Sequence, residues 1–217
     1  MVVFGASGHA KVIIDILTRS SNFEIVGLID SNKPAETFHC GYRVLGNERT
    51  LKGLMRDFEF NKGVVGVGDN FTRSELVRRI VSGAPNFQFI SAIHSSAVIA
   101  DDVAINPGTV VMAGAIINPG SRIGRHCIVN TRASIDHDCV LEDFCSIAPG
   151  ATLGGGVLIG GFSAIGLGAS VIHGRSIGQH SILGAGATLT RNLPEFQVAY
   201  GVPAHPVRMR TVGERYL

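Results

Sequence analysis

The chain has 217 residues, 45% apolar and 17% charged, with 19 Lys and Arg against 17 Asp and Glu for a formal charge of +2. That length allows one or two domains with real cores, and the evenly spread charge argues against a nucleic-acid surface or an acidic tail. No apolar run reaches the roughly 20 residues that span a bilayer. The opening MVVFGASGHAKV lacks the basic start and long apolar stretch of a secretory leader, so a cytoplasmic protein is expected.

The first half alternates strands and helices. Residues 2–5 (VVFG) predict a strand, and the Gly-rich turn of Gly5, Ser7, Gly8 and His9 leads into a helix with Val12, Ile13, Ile16 and Leu17 on one face. Residues 23–30 (FEIVGLID) predict a second strand ending in Asp30, and residues 63–70 (GVVGVGDN) a third. Residues 72–81 predict a helix with Thr72 as N-cap. This alternation argues for a small α/β domain with a parallel sheet. A Gly-rich turn at a helix N-terminus offers free N–H groups to a phosphate, and Asp30 stands where doubly wound folds touch a ribose. The same glycines would also serve a plain tight turn.

After a boundary in APNFQFISA (84–92), the pattern changes. From Ile93 the chain divides into sixteen hexads without insertion, each opening with Ile, Leu or Val. The fifth position is small or Val in every hexad except at Arg175, and it holds Cys127, Cys139 and Cys145. A period of six predicts a parallel β-helix, with first and fifth positions turned inward. Three hexads per coil give eighteen residues per coil, and five coils at about 4.8 Å make a prism of roughly 25 Å. All four cysteines, Cys40 included, are expected to be buried small hydrophobes in a reducing compartment. The sixth positions Val110, Ile128, Ser146, Ala164 and Ile182 form an outward apolar column, which predicts a buried contact between copies.

Within the repeat, residues 134–139 read SIDHDC. His137 follows inward Ile135 at a third position that can face solvent. Its imidazole suits general-base work, and either Asp136 or Asp138 could orient the ring. A metal ligand or a plain surface histidine are the alternatives. Stacking by eighteen places Asp101, Pro119, His137, Gly155 and His173 on one column.

The pairing of the two halves resembles the sugar acetyltransferases with an N-terminal Rossmann-like domain before a left-handed β-helix. These include the N-acetyltransferases of bacillosamine and perosamine synthesis and the sialic acid O-acetyltransferase-like proteins. FGASGHAKVI at the start, GYRVLG (41–46), VGVGDN (65–70), DHDC (136–139) and GVPA (201–204) carry the likeness. The resemblance implies a Rossmann-like sugar-nucleotide domain over residues 1–88 and a left-handed β-helix acetyltransferase domain over residues 89–217. It implies acetyl-CoA as co-substrate and a nucleotide-linked 4-amino-4,6-dideoxy sugar (UDP- or GDP-linked) as acceptor. His137 would be the general base, with Asp138 as its partner, and the Gly155 N–H would face the thioester oxygen. Ser7, Gly8, His9, Asp30, Ser31 and Gly68 would line the sugar-nucleotide site. Asn130, Ser146, Gly155, Leu167 and Ala185 match coenzyme-contacting positions, although some members carry a second histidine where Ser146 stands. Arg208 and Arg210 could meet the coenzyme's phosphates.

Zinc, as in the carbonic anhydrases among hexapeptide-repeat proteins, would need three converging histidines. The repeat holds His94, His126, His137, His173 and His180, none a few residues after His137, so no metal is expected. A homotrimer is predicted, with His9 brought to His137 across subunits. The rival readings are O-acetylation of a sugar hydroxyl, as in sialic acid, and a non-enzymatic β-helix scaffold.

Overall fold

The structure, a computed structural model, describes residues 1–20 and 23–216. The N-terminal sheet contains β1 (Val2–Phe4), β2 (Gly27–Ile29), β3 (Phe38–His39), β4 (Tyr42–Gly46), β5 (Lys62–Val65) and β6 (Gln88–Phe89), in the order β3-β4-β2-β1-β5-β6. All neighbours run parallel except the β3–β4 hairpin. From β1 the chain moves first to β2 on one side and later to β5 on the other, and the crevice of a doubly wound sheet opens at that point. Helices α1 (Gly8–Arg19), α2 (Leu51–Asp57) and α3 (Asn70–Gly83) connect the strands.

The predicted elements are present with shifted limits. The second and third strands are shorter than 23–30 and 63–70. In α1 the buried face is Ala10, Ile13, Ile14, Ile16 and Leu17, whereas Val12 is exposed and belongs to the cavity described below. The cap of α3 is Asp69 rather than Thr72. Its Oδ1 accepts from the Thr72 N–H at 2.9 Å and from the Thr72 hydroxyl at 2.6 Å, so Thr72 is the capped residue. Close approach explains two glycines. A Cβ on Gly66 would lie 2.9 Å from the Ala10 Cα, and one on Gly5, already at φ +107, would lie 3.0 Å from the Gly66 carbonyl.

From Ala92 onward, two-residue strands each pair in parallel with the strand eighteen residues later. Examples are Val110 with Ile128, Ile116 with Ser134, and Arg122 with Val140, one on each of three faces. The result is a left-handed parallel β-helix. First hexad positions from Val111 to Leu183 are buried, as are fifth positions from Thr109 to Ala187 apart from Arg175. The fourth positions, from Gly108 to Gly186, all adopt positive φ. This left-handed slot turns each corner and favours Gly but admits other residues where packing holds them. At one corner the slot carries stacked rings: His126 on Phe144, Phe144 on Phe162, Phe162 on His180, His180 on Phe196, with centroids 4.6–5.2 Å apart. Cys127, Cys139 and Cys145 are buried, but Cys40 is exposed beside the β3–β4 hairpin turn, at φ 50 and followed by Gly41. A hairpin tip has no core to enter, so the expectation of four buried cysteines fails there.

The outward apolar column also needs correction. Val110, Ile128, Ala164 and Ile182 are buried within the chain itself. Val110 and Ile128 pack in one cluster with Ile13 and Leu17 of α1, while Ala164 and Ile182 pack with Val198 and Tyr216 of the C-terminal segment. The column is thus the seat of the N-terminal domain and tail, and it carries no argument for contact between copies.

One side chain fastens the two halves. Arg73 is 1% exposed. Its Nε donates to the His126 carbonyl (2.8 Å), Nη1 to those of Val67 (3.0 Å) and Gly68 (2.7 Å), and Nη2 to Asn70 Oδ1 (2.6 Å) and the Phe144 carbonyl (3.2 Å). All five guanidinium donors are used. Asn70 in turn donates to the Phe162 and Ser163 carbonyls, both at 3.1 Å.

Candidate active site

The predicted site residues fall into three groups. The first lies at the carboxyl ends of β1, β2 and β5. Asp30 accepts from the Ala6 N–H at 2.7 Å through Oδ2 and from the Asn32 N–H at 2.7 Å through Oδ1, which ties the Gly-rich loop to the end of β2. The Ser31 hydroxyl donates to the Glu48 carboxylate. Ser7 precedes α1 without a side-chain cap, and a Cβ on Gly8 would meet nothing within 4 Å. The helix N-terminus is therefore open, with no acidic residue in its first turn, a setting that favours an anion.

The second group surrounds a cavity of about 650 Å³ between the N-terminal domain and the corner joining the first two faces of the prism. His9 and Gly68 line it from one side, and Asn130, Ser146, Leu167 and Ala185 from the other. Tyr200 and Tyr216 complete the wall. His9 Nε2 is buried without a hydrogen-bond partner among the described residues, an atom that a ligand could satisfy. Burial, and then the nearby Arg73 charge, lower the His9 pKa to about 4, so the ring is neutral at physiological pH.

The third group sits at the next corner. His137 projects outward, its side chain 62% exposed, and Nδ1 lies 2.8 Å from Asp138 Oδ2. Asp138 occupies the corner slot at φ 59, which curls its carboxylate toward its own neighbour. Asp136 is engaged elsewhere, accepting from Asn118 Nδ2 at 3.0 Å and from the His137 backbone N–H at 2.8 Å. The choice that the sequence left open falls on Asp138. That hydrogen bond, followed by the Asp136 charge, raises the His137 pKa above its ordinary value. Gly155 stands one coil on, and a Cβ there would lie 2.5 Å from His137 Nε2. Only glycine lets the free ring nitrogen lie against that backbone. The His137 carbonyl accepts from the Gly156 N–H at 2.8 Å. Among the described residues, no backbone acceptor takes the Gly155 N–H.

Gly155 therefore belongs with His137 and not with the cavity that holds the other four coenzyme positions. The cavity and the His137 corner are separated by one face of the prism, bearing Ser134, Thr152 and Ser170. The tail arginines are also committed. Arg210 is buried and donates to the His180 carbonyl at 3.3 Å, and Arg208 pairs with Glu214 at 2.6 Å. Arg210 is held away from solvent, whereas Arg208 keeps about half of its side chain exposed. The thiols of Cys139 and Cys145 donate to the carbonyls of Gly154 (3.3 Å) and Gly160 (3.2 Å), and burial pushes both pKa values up. Among the described residues, no group of three or more His, Cys, Asp or Glu comes together as a metal site, and no helix is long and apolar enough to cross a membrane. The sequence did not reveal Arg73, Asn70 or Tyr216 as neighbours of the cavity.

Comparison with known proteins bears on this geometry. The family described as PglD N-terminal domain matches residues 1–80. A curated relative, the UDP-N-acetylbacillosamine N-acetyltransferase of Bacillus subtilis (strain 168), is 36% identical over 110 residues. That match spans 50% of this chain and 49% of the relative, about half the length of each. PerB from Caulobacter crescentus, solved with CoA and GDP-perosamine, superposes with a TM-score of 0.88 at 38% identity, covering 95% of this chain and 96% of its own. The acetyltransferase domain of PglB from Neisseria gonorrhoeae FA1090, solved with acetyl coenzyme A, gives a TM-score of 0.85 at 32% identity, covering 95% and 98%.

Proposed function

Because this chain belongs to the nucleotide-amino-sugar N-acetyltransferases, we propose that it transfers acetyl from acetyl-CoA to the 4-amino group of a nucleotide-linked 4-amino-4,6-dideoxy sugar. The observation that carries the reading is the His137–Asp138 pair with Nε2 set against Gly155. With the Asp138 carboxylate accepting from Nδ1–H, the Nε2 lone pair is free to act as a base.

The chemistry follows from that tautomer. The sugar amine attacks the thioester carbonyl, and His137 Nε2 takes the proton that the nitrogen loses. The carbonyl oxygen becomes an oxyanion, toward which the Gly155 N–H donates. Collapse of the tetrahedral intermediate breaks the carbon–sulfur bond, and the imidazolium returns its proton to the departing thiolate. Direct transfer suits the inward thiols of Cys139 and Cys145, whose raised pKa values make them poor nucleophiles. The loop of Ser7, Gly8, Asp30 and Ser31 would hold the nucleotide. His9 and Gly68 would hold the sugar end, and Asn130, Ser146, Leu167 and Ala185 the coenzyme. The acceptor's nucleotide is UDP or GDP in this reading. A cytoplasmic setting suits the free thiols.

Within one chain the base lies a full face away from the cavity, so a second copy must bring His137 to it. A cyclic trimer of prisms places one copy's His137 corner against the next copy's cavity. Sedimentation is expected to give a trimer mass, and a monomer that retains activity would overturn this arrangement.

The pH profile tests the catalytic pair. Activity requires neutral His137, so kcat/KM rises with pH through a pKa above the ordinary value of 6.5. Asp138→Asn removes the charged acceptor that favours the imidazolium. Its acid limb should move to lower pH, and its plateau should fall on the order of tenfold or more. An unshifted acid limb would exclude Asp138 as the partner.

A further inference from the structure

The C-terminal segment returns to the cavity by a route that its sequence does not advertise. Arg210 donates from its backbone N–H to the Phe196 carbonyl at 2.9 Å, and Glu214 binds the Thr211 N–H at 3.2 Å as well as Arg208. Gly213, at φ +78, lies so close to Phe71 that a Cβ would come 3.1 Å from the ring. These contacts fix the path of the chain and deliver Tyr216 into the cavity wall.

The Tyr216 ring packs on Ala164, Ile182 and Val198. Its hydroxyl is 3.4 Å from the Gly68 carbonyl and within reach of the Ser146 side chain. A phenol has one proton to donate, and 3.4 Å is long for an O–H···O bond. That proton is held loosely at the Gly68 carbonyl and can turn to the Ser146 oxygen or to a ligand. The Ser146 hydroxyl is not free in the same way, because it donates to Asn70 Oδ1 at 2.5 Å. Tyr216 is one of several polar donors, with Asn130, Thr131 and Tyr200, on a wall that is otherwise largely apolar and that also holds Ser146, Leu167 and Ala185.

We propose that the Tyr216 hydroxyl is a ligand-binding group of this cavity, donating its hydrogen bond to a carbonyl oxygen of the acetyl-pantetheine arm of acetyl-CoA. The assignment rests on the reading above that acetyl-CoA occupies the cavity. The coenzyme is favoured over the acceptor by position. The hydroxyl also neighbours Gly68 at the sugar end, but the ring rests on strands that lead into Leu167 and Ala185, and Ser7, Asp30 and Ser31 do not line this space. Tyr216 is a binding residue in this scheme, and proton transfer stays with His137.

Tyr216→Phe keeps the ring and its packing and removes only the hydroxyl. Titration calorimetry with acetyl-CoA is expected to show Kd raised about 5- to 10-fold for one lost hydrogen bond. The acceptor KM should be unchanged, and the melting temperature should stay within about a degree of wild type because no packed atom but the hydroxyl is lost. Equal or tighter acetyl-CoA binding by the variant would overturn the assignment and leave the proposed activity standing. A change confined to the acceptor KM would overturn it too, by giving the phenol to the other substrate. A wild-type protein that does not bind acetyl-CoA at all would remove both the assignment and the reading beneath it.

Discussion

His137→Ala is expected to lower kcat by about 10²- to 10⁴-fold, the range that a positioned general base supplies. The size follows from the site. The amine must shed a proton as it attacks, and Nε2 is the one ring nitrogen not already held by Asp138. The substitution should not disturb the fold, because the side chain projects from a corner and is 62% exposed. Its melting temperature should therefore match wild type. Acetyl-CoA affinity should also hold, since the cavity residues Asn130, Ser146 and Leu167 are untouched. A loss of activity together with a fall in melting temperature would point to misfolding, and full activity would mean that the DHD segment is not the catalytic centre.

Arg73→Met is expected to destabilise the protein by about 3–5 kcal/mol. Methionine fills similar length but leaves the carbonyls of His126, Val67, Gly68 and Phe144 without the guanidinium, while Asn70 Oδ1 keeps only the Ser146 hydroxyl. Each buried group left unsatisfied costs about 1–3 kcal/mol, and relaxation recovers part of the sum. For a chain of this size the melting temperature should fall on the order of 10 °C. Lysine should rescue little, because one ammonium with three donors cannot span acceptors on two domains. A thermal melt checks this directly, and a shift of less than about 1 °C would show that the junction does not depend on the guanidinium. Burial already pulls the Arg73 pKa down, so its charge is held by this set of dipoles at a cost in desolvation.

The β-helix could be read from the sequence because its order is periodic. Every eighteenth residue repeats the same environment, so Ile135, Cys139 and Leu153 announced their inward positions. His137 was legible for the same reason, as an interruption of the rule at an outward position. What stayed hidden depends on contacts between distant residues. Arg73 reads as an ordinary helical arginine in TRSELVRRIV, yet its partners His126 and Phe144 lie 53 and 71 residues away. The apolar column misled because a column facing out of the prism is not thereby facing solvent. Helix α1 and Tyr216 cover it, and no local pattern states where they dock. Asp136 and Asp138 are equivalent in sequence and differ only in backbone conformation. The positive φ at Asp138 turns its carboxylate to the ring, and Asn118 holds the other. The place of Arg210 was equally hidden, since its guanidinium donates to the His180 carbonyl within the prism end.

The central claim is direct acetyl transfer from acetyl-CoA to the amine of a nucleotide-linked sugar. The measurement that meets it most directly is release of coenzyme A thiol by the wild-type protein, with UDP-, GDP- and dTDP-linked 4-amino-4,6-dideoxy sugars as acceptors. The account predicts turnover with at least one of them, one thiol released per acceptor consumed, an alkali-stable amide as product, and collapse of the rate in His137→Ala. Thiol release with no amine in the panel, or an alkali-labile ester formed from a sugar hydroxyl instead, would contradict it.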